Sequence, residues 1–530
     1  MNSPKKNAFP TLNNLKIIQS SYGQRINKCT PLVIKKDTKK IIDTKLLSQT
    51  SIEQAKQRFI SNQERQKQQQ KSLPPIMKKK EFHQRSVSVS APKTQYSKYF
   101  YFIGEGNNNQ LIKKLLDERQ NWVQVKDPKS KKINFKWQET EKGYEYQTIN
   151  QKEQAIQMLN HFEFHSEISD KFKLAVNFKA YCDKNRLNIY DYIPTTFAIE
   201  CTNENLRSEL FQFISFYRQN CPQHKLAELD KTIKQNFFSF TTLYDNKVNH
   251  YPTLFGNENL WIFKPSNMNQ GRGIHVVRSL QEVLDIQNKY QGGYKEKLLE
   301  VKRNEQNEII NKVVYLNTLV TEQFVIQKYI EKPFLIDGRK FDIRAYVLLT
   351  SNLQIYFYRE GQLRLATEKF DTKVQSNYVH LTNNAIQYTH PQYGKSEEGN
   401  QYNFDQAQSL FKKDFRKDIL AKIKMISYTA FQTVKHKINK QKRKNCFEIF
   451  GMDFIIDEQQ YPWLIEVNTN PSLEVTSKLL DQLFPRMVND AFQLTIDLVF
   501  PQNEPNHNYP LMNYKNDENL WESMGYLQSS

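Results

Sequence analysis

The sequence predicts an α+β fold, because segments with the apolar spacing of helices alternate with short apolar runs typical of strands. A strand is predicted at residues 99–104, and helices are predicted at residues 108–120, 153–164 and 171–183. Further strands are predicted at residues 261–264, 274–277, 324–330, 341–350 and 353–358. No internal repeat is found, so the alternation favours layered sheets and helices over a helical bundle or a β-sandwich.

Two more helices are predicted toward the carboxyl end. In the first, apolar residues recur on one helical stripe at Leu420, Ile423, Ile426, Ala430 and Val434. The second, at about 484–499, stops before Pro501, because the residue that precedes a proline avoids the helical conformation. Between these two helices, a strand is predicted on each side of Gln459 and Gln460.

The first segment, residues 1–95, is rich in Lys, Gln and Ser. Such a composition cannot bury enough apolar surface to offset the entropy of ordering the chain. We therefore predict a mostly disordered basic tail. It is interpreted either as a solvated linker or as an electrostatic tether to an acidic partner.

Composition narrows the class of protein without choosing a function. A chain of 530 residues with 38% hydrophobic residues can form a sizeable core, and a formal net charge of +20 favours acidic partners. Five scattered cysteines without CxxC spacing predict free thiols in a reducing compartment and no zinc site. The sequence shows no secretory signal and no run long enough to span a membrane, so a soluble intracellular protein without a membrane partner is expected.

The most informative segment is a predicted hairpin that contains Asp453 in its first strand and Glu466 in its second. Side chains alternate between the two faces of a strand. If the chain reverses at the bond between Gln459 and Gln460, Asp453 lies directly opposite Glu466. A slip of one residue would undo this pairing.

Two carboxylates that face each other across a ladder repel, so the arrangement needs compensation. One possibility is a shared proton, which raises one pKa. Another is Mg²⁺, which prefers oxygen ligands and is usually held by one or two carboxylates plus substrate phosphates. Asp453, Glu466 and the amide oxygen of Asn468 supply that ligand set. The alternative is a solvated hairpin whose polar side chains face water.

Two segments have features of a nucleotide site. Lys264 ends a strand, where its amine can reach a phosphate, and a glycine-bearing loop follows with Gly271, Arg272, Gly273 and Ile274. This loop is not a Walker A motif, because no GKS or GKT follows it. The segment Gln327, Lys328, Tyr329 and Ile330 ends an apolar strand whose backbone can bond an adenine edge. An ordinary glycine turn and an ordinary edge strand are the simpler interpretations.

A third segment predicts the wall of a polar cleft. Lys340, Asp342 and Arg344 alternate onto one face of a strand whose other face is apolar. Residues 356–364 suggest a tight hairpin with Arg364 beyond the turn, where its planar fork can hold a carboxylate or an acyl phosphate. Thr382 and Asn383 offer a hydroxyl and an amide to a polar substrate, although both fit plain turn chemistry as well.

Taken in order, these segments resemble the tubulin tyrosine ligase-like family of ATP-grasp enzymes. The resemblance covers roughly residues 99–500, including the stretch from Asn160 to Lys171. The motifs that carry it are KP at Lys264, GRGI from Gly271, QKYI from Gln327, GRKFDIR from Gly338, YREGQLR from Tyr358, HLTNN from His380, FGMDF from Phe450 and WLIEVNTNPSLE from Trp463. GRKFDIR and EVNTNP occurring together are highly specific, whereas either motif alone is weak.

The resemblance implies an ATP-grasp fold in which ATP is held between two β-sheets. It implies an N-terminal lobe (96–200), a central lobe (201–330), a C-terminal lobe with the metal site (331–500) and a C-terminal tail (501–530). Lys171, Lys264 and Lys340 would contact ATP phosphates, the backbone of residues 327–330 would hold adenine, and Asp342 would hold the ribose or nearby groups. Asp453, Glu466 and Asn468 would bind Mg²⁺, while Arg344, Arg364, Thr382 and Asn383 would handle the acceptor carboxylate or the incoming amino acid.

The implied reaction joins an amino acid to a protein carboxylate through an acyl phosphate. The expected partners are a free amino acid and tubulin or microtubules, whose acidic tails suit a basic enzyme. Glycine and glutamate rank equally and ahead of tyrosine, although the YREGQLR motif and residues 397–400 resemble the tyrosine ligase branch. A monomer in the cytoplasm and on the cytoskeleton is expected, with the cilium or axoneme as a further location.

Two other functions are weighed against this interpretation. A nucleic-acid-binding protein would explain the charge, but no RNP, zinc-finger or helix-turn-helix pattern accompanies it, so no nucleic-acid partner is expected. A phosphotransferase of the kinase type would also use a glycine loop, a lysine and carboxylates. HRD and DFG are absent, however, and the carboxylate hairpin lies near the end of the chain.

Overall fold

The computed structural model describes residues 98–527, except 107, 142, 147–155, 202–205, 238–257, 267, 305–307 and 503–508. The predicted basic tail lies outside these residues. The described residues all belong to one compact unit of the chain, Lys93–Ser530. Helices and strands both contribute to it, and the strands form four separate sheets, so the predicted mixture of helices and sheets is confirmed.

The helices and strands of the described residues are numbered in chain order. The helices are α1 (Asn109–Asp117), α2 (Ser166–Ser169), α3 (Lys171–Asn185), α4 (Leu206–Gln219), α5 (Leu226–Asn236), α6 (Leu280–Gln291), α7 (Asn377–His380), α8 (Asn384–Gln387), α9 (Phe404–Leu410), α10 (Ala421–Val434), α11 (Lys478–Gln493) and α12 (Ile496–Val499). The strands of the smaller sheets are β1 (Tyr99–Ile103), β2 (Trp122–Gln124), β3 (Phe135–Trp137), β4 (Met158–Leu159), β5 (Thr196–Glu200), β6 (Trp261–Pro265), β7 (His275–Val277), β8 (Tyr294–Arg303), β9 (Ile309–Leu319) and β10 (Gln323–Lys328). The strands of the largest sheet are β11 (Arg339–Thr350), β12 (Gln354–Tyr358), β13 (Gln362–Lys369), β14 (Gln401–Asn403), β15 (Phe447–Ile456), β16 (Pro462–Thr469) and β17 (Trp521–Tyr526).

Three sheets besides the largest one are present. A four-stranded parallel sheet has the order β2-β1-β3-β4, and a four-stranded antiparallel sheet has the order β5-β10-β6-β7. A separate long hairpin consists of β8 and β9. The antiparallel sheet carries the predicted Lys264 and Gln327 on adjacent strands, so the two residues lie close together.

The largest sheet is built around β11. One edge of β11 pairs with β15, while the other edge pairs first with β13 and then with β12. The apolar face of β11 carries Phe341, Ile343 and Ala345, all in the main hydrophobic core. The predicted alternation is confirmed, because Lys340 and Asp342 on the opposite face line a cleft.

The predicted tight hairpin over residues 356–364 is wrong. Strands β12 and β13 do not pair with each other, because both run antiparallel to β11 along the same edge, one after the other. The segment around Gly361 therefore continues in one direction. A Cβ at Gly361 would lie 2.5 Å from the carbonyl oxygen of Arg344, so the chain passes too close to β11 for a larger residue.

The hairpin of β15 and β16 confirms the pairing of Asp453 with Glu466, but the chain does not reverse where the sequence reasoning placed the turn. Asp457 holds the turn by accepting hydrogen bonds from the backbone N–H groups of Gln459 and Tyr461, at 3.0 and 2.9 Å. Ile456 then pairs with Pro462 and Phe454 with Leu464, one position away from the assumed register. A bulge at Ile465 restores the register, because one extra residue on a strand shifts every later pair.

Several helix boundaries differ from the prediction. Residues 158–159 of the predicted helix 153–164 form β4, and residues 153–155 lie outside the described part. The Asn160 side chain explains the difference, since it bonds the backbone N–H and C=O of Gln138 at 3.0 and 2.9 Å and so holds this segment in the sheet. The last predicted helix begins earlier, at Lys478, because Ser477 caps its amino end, and Pro485 lies inside it.

The carboxyl-terminal residues are not simply a tail. Trp521–Tyr526 form β17 at the edge of the largest sheet, where they pair with β12. The buried guanidinium of Arg486 fixes the segment before β17 by donating hydrogen bonds to the carbonyl oxygens of Tyr509 and Lys515, each at 2.9 Å.

Among the described helices, none is both long enough and apolar enough to cross a membrane. Four cysteines, Cys182, Cys201, Cys221 and Cys446, are free thiols.

Candidate functional site

A cleft lies where the antiparallel sheet of β6 and β10 meets the largest sheet. Lysine and carboxylate side chains line one part of it, and apolar side chains line the rest. The lining residues are Pro194, Ile262, Lys264, Ile274, Gln327, Lys328, Tyr329, Ile330, Lys340, Asp342, His380, Leu381, Thr382, Asn383, Asp453, Ile455, Ile465 and Glu466.

Lys264 lies on β6 and enters the cleft from the antiparallel sheet. Its amine donates a hydrogen bond to the Gln327 side-chain oxygen at 2.7 Å and lies 3.4 Å from the Ile465 carbonyl oxygen. Burial lowers the pKa of Lys264 to about 8, because the charged form loses its water, and Glu466 opposes that shift. The Lys264 amine could therefore also bond an anion that enters the cleft.

Lys340 lies on β11 and enters from the largest sheet. Its amine donates to the His380 carbonyl oxygen at 2.8 Å and to the Tyr329 hydroxyl at 3.2 Å. The same amine lies 4.4 Å from the centre of the Tyr329 ring, a favourable cation–π distance. Burial lowers the pKa of Lys340 to about 7, so its protonation is sensitive to whatever binds beside it.

A hydrogen-bond chain extends from Lys340 to His380. The His380 Nε2 atom lies 2.6 Å from the carbonyl oxygen of Val374, which can only accept, so Nε2 carries the proton. Burial lowers the pKa of His380 to about 4, so the ring is neutral and its Nδ1 atom accepts. The Tyr329 hydroxyl, 2.8 Å away, donates to Nδ1, and its own oxygen accepts from Lys340. The chain thereby fixes the orientation of Lys340.

Lys171 is the first residue of α3 and lies next to Glu466 of the cleft, although Lys171 itself is not among the residues that line the cleft. Its amine donates to the Met268 carbonyl oxygen at 2.7 Å and lies 3.6 Å from Glu466 Oε2. The helix begins here because Asp170 caps it, accepting from the backbone N–H of Lys173 at 2.9 Å. Ser266 donates to the other oxygen of Asp170 at 2.6 Å, which ties this helix to the segment after β6.

Asp453 is compensated by two arginines. Arg344 donates through two nitrogens to the two oxygens of Asp453, and Arg364 donates to Asp453 Oδ2 at 3.0 Å. Burial opposes ionisation of Asp453, but the two guanidinium groups outweigh it and lower its pKa. The two arginines therefore supply positive charge that compensates the buried carboxylate of Asp453.

Asp342 belongs to the same network on β11. Arg364 donates to its two oxygens at 2.7 and 2.8 Å, and the Thr382 hydroxyl donates to Oδ2. Burial raises the pKa of Asp342, and the nearby Asp453 charge adds to that effect, while Arg364 opposes it. Arg344, Arg364 and Thr382 thus contact carboxylates of the chain itself, which holds their polar groups in fixed positions.

Glu466 and Asn468 complete the predicted ligand set. The Asn468 amide nitrogen lies 3.1 Å from Glu466 Oε1 and 3.2 Å from Asp453 Oδ2, so the three side chains share one place. Mg²⁺ needs only one or two carboxylates when phosphate oxygens supply further ligands, and these residues fit that requirement. Among the described residues, no group of three or more His, Cys, Asp and Glu side chains forms a richer metal site.

The glycine loop contacts the segment that carries Asn383. Gly271 has a φ of +77°, and a Cβ there would lie 2.6 Å from the Ile386 side chain and 3.0 Å from the Asn383 side-chain oxygen. Only glycine permits both this backbone and this close approach. The Arg272 side chain is not among those lining the cleft, since its Nε lies against the Asn269 carbonyl oxygen of its own loop.

Lys328 lines the cleft, but its amine is bonded to other groups of the protein. Its amine donates to the Leu260 carbonyl oxygen at 2.7 Å and pairs with Glu331 at 2.5 Å. The Lys328 amine is therefore already bonded within the protein, whereas Gln327, Tyr329 and Ile330 of the same segment also line the cleft. Burial lowers the pKa of Lys328 to about 8, against the pull of Glu331.

Sequence reasoning named Ile274 and Ile330 but missed the other apolar residues of the cleft walls, and it gave His380 no role. Ile262, Ile274 and Leu381 belong to one small apolar cluster, whereas Ile455 and Ile465 belong to a second one with Ile330. Simple alternation would place the Ile465 and Glu466 side chains on opposite faces of β16. The bulge instead brings both residues to the cleft. His380 was visible as the first residue of HLTNN, but no sequence signal revealed its bond to Tyr329.

Comparisons with known proteins point to one family. A model described as "Tubulin-tyrosine ligase family" matches residues 149–507. Tubulin glycylase 3D of Tetrahymena thermophila is 33% identical over 259 residues, which are 46% of this chain and 22% of that protein. Tubulin glycylase 3A of Drosophila melanogaster is 30% identical over 275 residues, 49% of this chain and 24% of that protein. The probable alpha-tubulin polyglutamylase Ttll1 of Tetrahymena thermophila is 28% identical over 372 residues, 64% of this chain and 72% of that protein.

The matched part spans about a quarter or less of the two glycylases, so the likeness concerns one region of those longer proteins. The family match, in contrast, covers about two thirds of this chain. It includes all the residues that line the cleft, from Pro194 to Glu466. The family resemblance derived from the sequence motifs is confirmed, and the chain belongs to the tubulin-tyrosine ligase family.

Proposed function

We propose that this chain is an ATP- and Mg²⁺-dependent ligase that joins an amino acid to a carboxylate of a tubulin tail or a similar acidic protein. The observation that carries this proposal is that Lys264, Lys340, Asp453 and Glu466 line one cleft, with Lys171 3.6 Å from Glu466. Cations, two clustered carboxylates and apolar side chains around one cleft suit a nucleotide polyphosphate with its metal. It belongs to an ATP-grasp fold, in which the nucleotide lies between two sheets.

The apolar end of the cleft would hold adenine. Ile262, Ile274 and Leu381 belong to one apolar cluster that lines the cleft, and Ile330 and Ile455 belong to a second one. The backbone of residues 327–330 runs along the end of β10, where its polar groups can bond the edge of the base. Because the Lys328 amine is committed to Leu260 and Glu331, recognition on this side would come from the backbone rather than from that side chain.

The polar end would hold the phosphates. Lys171, Lys264 and Lys340 approach from α3, β6 and β11, so three elements supply positive charge around one point. Asp342 would bind the ribose or nearby groups, and the glycine loop from Gly271 to Ile274 would close over the nucleotide. Asp453, Glu466 and Asn468 would hold Mg²⁺, which supplies charge neutralisation on the transferred phosphate when it is bound.

The reaction has two steps. A carboxylate oxygen of the acceptor protein attacks the γ-phosphorus of ATP, ADP leaves, and an acyl phosphate forms. The amine of a free amino acid then attacks the acyl carbon, inorganic phosphate leaves, and the nitrogen loses a proton. Arg344 and Arg364 are held rigidly by Asp453 and Asp342, and they would orient the acceptor carboxylate or the amino acid together with Thr382 and Asn383. Positioning and charge neutralisation supply most of the acceleration.

The relatives support tubulin as the acceptor and leave two amino acids in balance. Relatives named as glycylases and relatives named as polyglutamylases both match this chain. Glycine and glutamate therefore rank equally, ahead of tyrosine. We place the enzyme in the cytoplasm on the cytoskeleton, with the cilium or axoneme as a further location, and we expect it to act as a monomer without nucleic acid.

The decisive experiment is mass spectrometry of tubulin after incubation with the enzyme, ATP and Mg²⁺ and one amino acid at a time. The proposal expects a mass increase that matches the supplied amino acid on an acidic tail, together with release of ADP and phosphate. Reactions without ATP are the control. A phosphate left on tubulin would indicate a kinase instead, and no modification with glycine, glutamate or tyrosine would refute ligation on tubulin.

A further inference from the structure

A basic surface lies away from the cleft, where the turn after α10 contacts the segment around α2 and the middle of α3. We define the basic patch as Lys184, Arg186, Lys435, Lys440, Lys442 and Lys444. Two of its members lie at the end of α3 and the other four lie in residues 435–444. All except Lys435 are exposed, and Lys435 is half-buried.

Specific contacts hold the turn against α3. The Lys437 amine donates to the Asn177 side-chain oxygen at 2.7 Å and lies 3.4 Å from Glu167. Arg443 pairs with Glu163 at 3.0 Å. Asn439 closes the turn by bonding the backbone N–H and C=O of Arg443, at 2.8 and 3.0 Å. The turn therefore presents its remaining lysines from a fixed position.

The carboxylates in this region are already used by residues outside the patch. Glu163 and Glu167 pair with Arg443, Lys173 and Lys437, and Asp183 pairs with Lys179. Among the described residues, no carboxylate lies within ion-pair distance of Lys184, Arg186, Lys440, Lys442 or Lys444. Burial lowers the pKa of Lys435, and the positive charge of Lys184 adds to that effect, so the cations here repel one another. A surface with this uncompensated charge attracts an anionic partner.

Helix α3 connects this surface to the cleft and sets the distance between them. Its first residue, Lys171, lies beside Glu466 in the cleft, and Lys184 lies near its other end. Thirteen residues of helix separate the two, and at 1.5 Å per residue this is about 20 Å. An extended peptide covers that distance with about six residues.

We propose that the basic patch is a docking surface for the acidic segment of an acceptor protein whose modified carboxylate lies about six residues away in the cleft. The exposed members of the patch offer five positive charges to a chain of glutamates, while α3 provides the path between the two sites. This inference rests on the proposed function, because it takes the acceptor to be an acidic protein segment. Docking is measured without ATP, however, so it can fail or succeed independently of ligation.

The test compares two variants with the same change in net charge. The patch variant is Lys440→Glu, Lys442→Glu and Lys444→Glu, and the control variant is Lys129→Glu, Lys131→Glu and Lys132→Glu on an exposed loop between β2 and β3. The probe is a fluorescent oligoglutamate peptide of about ten residues, which is long enough to span the path. Three substitutions are combined because each exposed ion pair contributes little alone. Anisotropy without ATP should show about tenfold weaker probe binding for the patch variant, and a change of no more than about twofold for the control variant.

Ligation kinetics provide a second readout. With an acceptor too short to reach the patch, the patch variant should keep the kcat and KM of the wild type. With a long acidic acceptor, its KM should rise while kcat is unchanged. Equal loss of probe binding in both variants would show that only the total charge matters, and unchanged binding in the patch variant would remove the patch from recognition. Tighter binding of a single-stranded DNA of equal length, lost in the patch variant alone, would assign the surface to nucleic acid and overturn the proposal.

Discussion

Glu466 and Asp453 face each other on one hairpin, but their surroundings give them different duties. Asp453 is buried and accepts hydrogen bonds from Arg344 and Arg364. It therefore balances part of their positive charge and also lines the cleft. Glu466 lies beside the Asn468 amide, at 3.1 Å, and beside the Lys171 amine, at 3.6 Å, and no bidentate arginine contact is seen for it among the described residues. Its oxygens are therefore the freer ligands for a cation, and the two residues should respond differently to the same kind of substitution.

Glu466→Gln should abolish ligation and leave the fold intact. The change removes one charged metal ligand with little change in volume, and we expect kcat/KM to fall at least about a hundredfold. Ligation rates, Mg²⁺ titration and thermal melting measure the effect. Glu458→Gln, in the exposed turn of the same hairpin, is the control and should be unaffected. Normal activity in the Glu466 variant would exclude this residue from the site.

Asp453→Asn should destabilise the protein in addition to inactivating it. Arg344 and Arg364 would be left buried with less compensating charge, and the loss of one partner from a buried ion pair costs about 3–5 kcal/mol. Urea unfolding at neutral pH measures the free energy of unfolding. Asp337→Asn is a matched control, because Asp337 is largely exposed and lies 3.9 Å from its arginine. Equal stability of the two variants would contradict the compensation seen in the structure.

Nucleotide binding should take up protons above neutral pH. Lys340 and Lys264 have pKa values of about 7 and 8 because they are buried, so at pH 8 a large fraction of both is neutral. A bound polyanion favours the charged forms and raises both pKa values, so protons enter on binding. At pH 6 both lysines are already charged and the uptake should vanish. Calorimetry of ATP binding in buffers with different ionisation enthalpies measures the number of protons, and Lys340→Met should remove much of the uptake at pH 8.

For individual residues, the sequence revealed most of the charged side chains of the candidate site but not the partners that they bond. Alternation along β11 correctly placed Lys340 and Asp342 in the cleft. The role of Arg344 and Arg364 as partners of Asp453 and Asp342 depends on strands that are distant in the sequence. No local pattern indicates such pairing, because it arises only when the sheet is assembled.

Among the secondary-structure elements, the hairpin of β15 and β16 was predicted with the correct pairing of Asp453 and Glu466 although its turn was placed incorrectly. The assumed turn was one position wrong, and the bulge at Ile465 cancelled that error before Asp453 and Glu466. A bulge has no clear signature in side-chain alternation, since it adds one residue without changing residue types. Its consequence for the site is that Ile465 joins Glu466 on the cleft wall.

Strands with continuous apolar runs were predicted better than segments held by polar side chains. Strands β6, β10 and β11 were located within three residues at each end. The predicted helix over residues 153–164 failed, because the Asn160 amide bonds the backbone of Gln138 and acts as part of the sheet. Such a tertiary bond outweighs helical periodicity, which is a weak guide for short segments.

The chain from Lys340 through Tyr329 to His380 links β11, the end of β10 and α7. Tyr329→Phe removes the donor to His380 Nδ1 and the acceptor for the Lys340 amine. We expect KM for ATP to rise about tenfold, which corresponds to about 1.4 kcal/mol, with a smaller effect on kcat. Tyr526→Phe, on the exposed edge strand β17, is the control and should change neither constant. An unaltered KM in the Tyr329 variant would show that this chain does not position Lys340.

At the scale of the whole molecule, the net charge of +20 is distributed between described and undescribed parts of the chain. The basic patch accounts for one local excess, and the segment before residue 98 contains further lysine and arginine, including Lys78 to Lys80. Charge spread over a protein attracts an oppositely charged partner at long range and is screened by salt within about 8–10 Å. Binding to an acidic polymer should therefore weaken as the ionic strength rises.

Deletion of residues 1–93 separates the contribution of the basic amino-terminal segment from that of the folded part. The cleft is assembled from residues between Lys171 and Asn468, so catalysis on a short peptide acceptor should be retained. Affinity for microtubules should fall, because the deletion removes positive charge from a molecule that binds an acidic surface. Cosedimentation with microtubules at two ionic strengths, alongside peptide ligation rates, measures both effects. Unchanged microtubule affinity would refute the tether hypothesis and leave recognition to the folded surface, and loss of peptide ligation would show that the amino-terminal segment also supports the cleft.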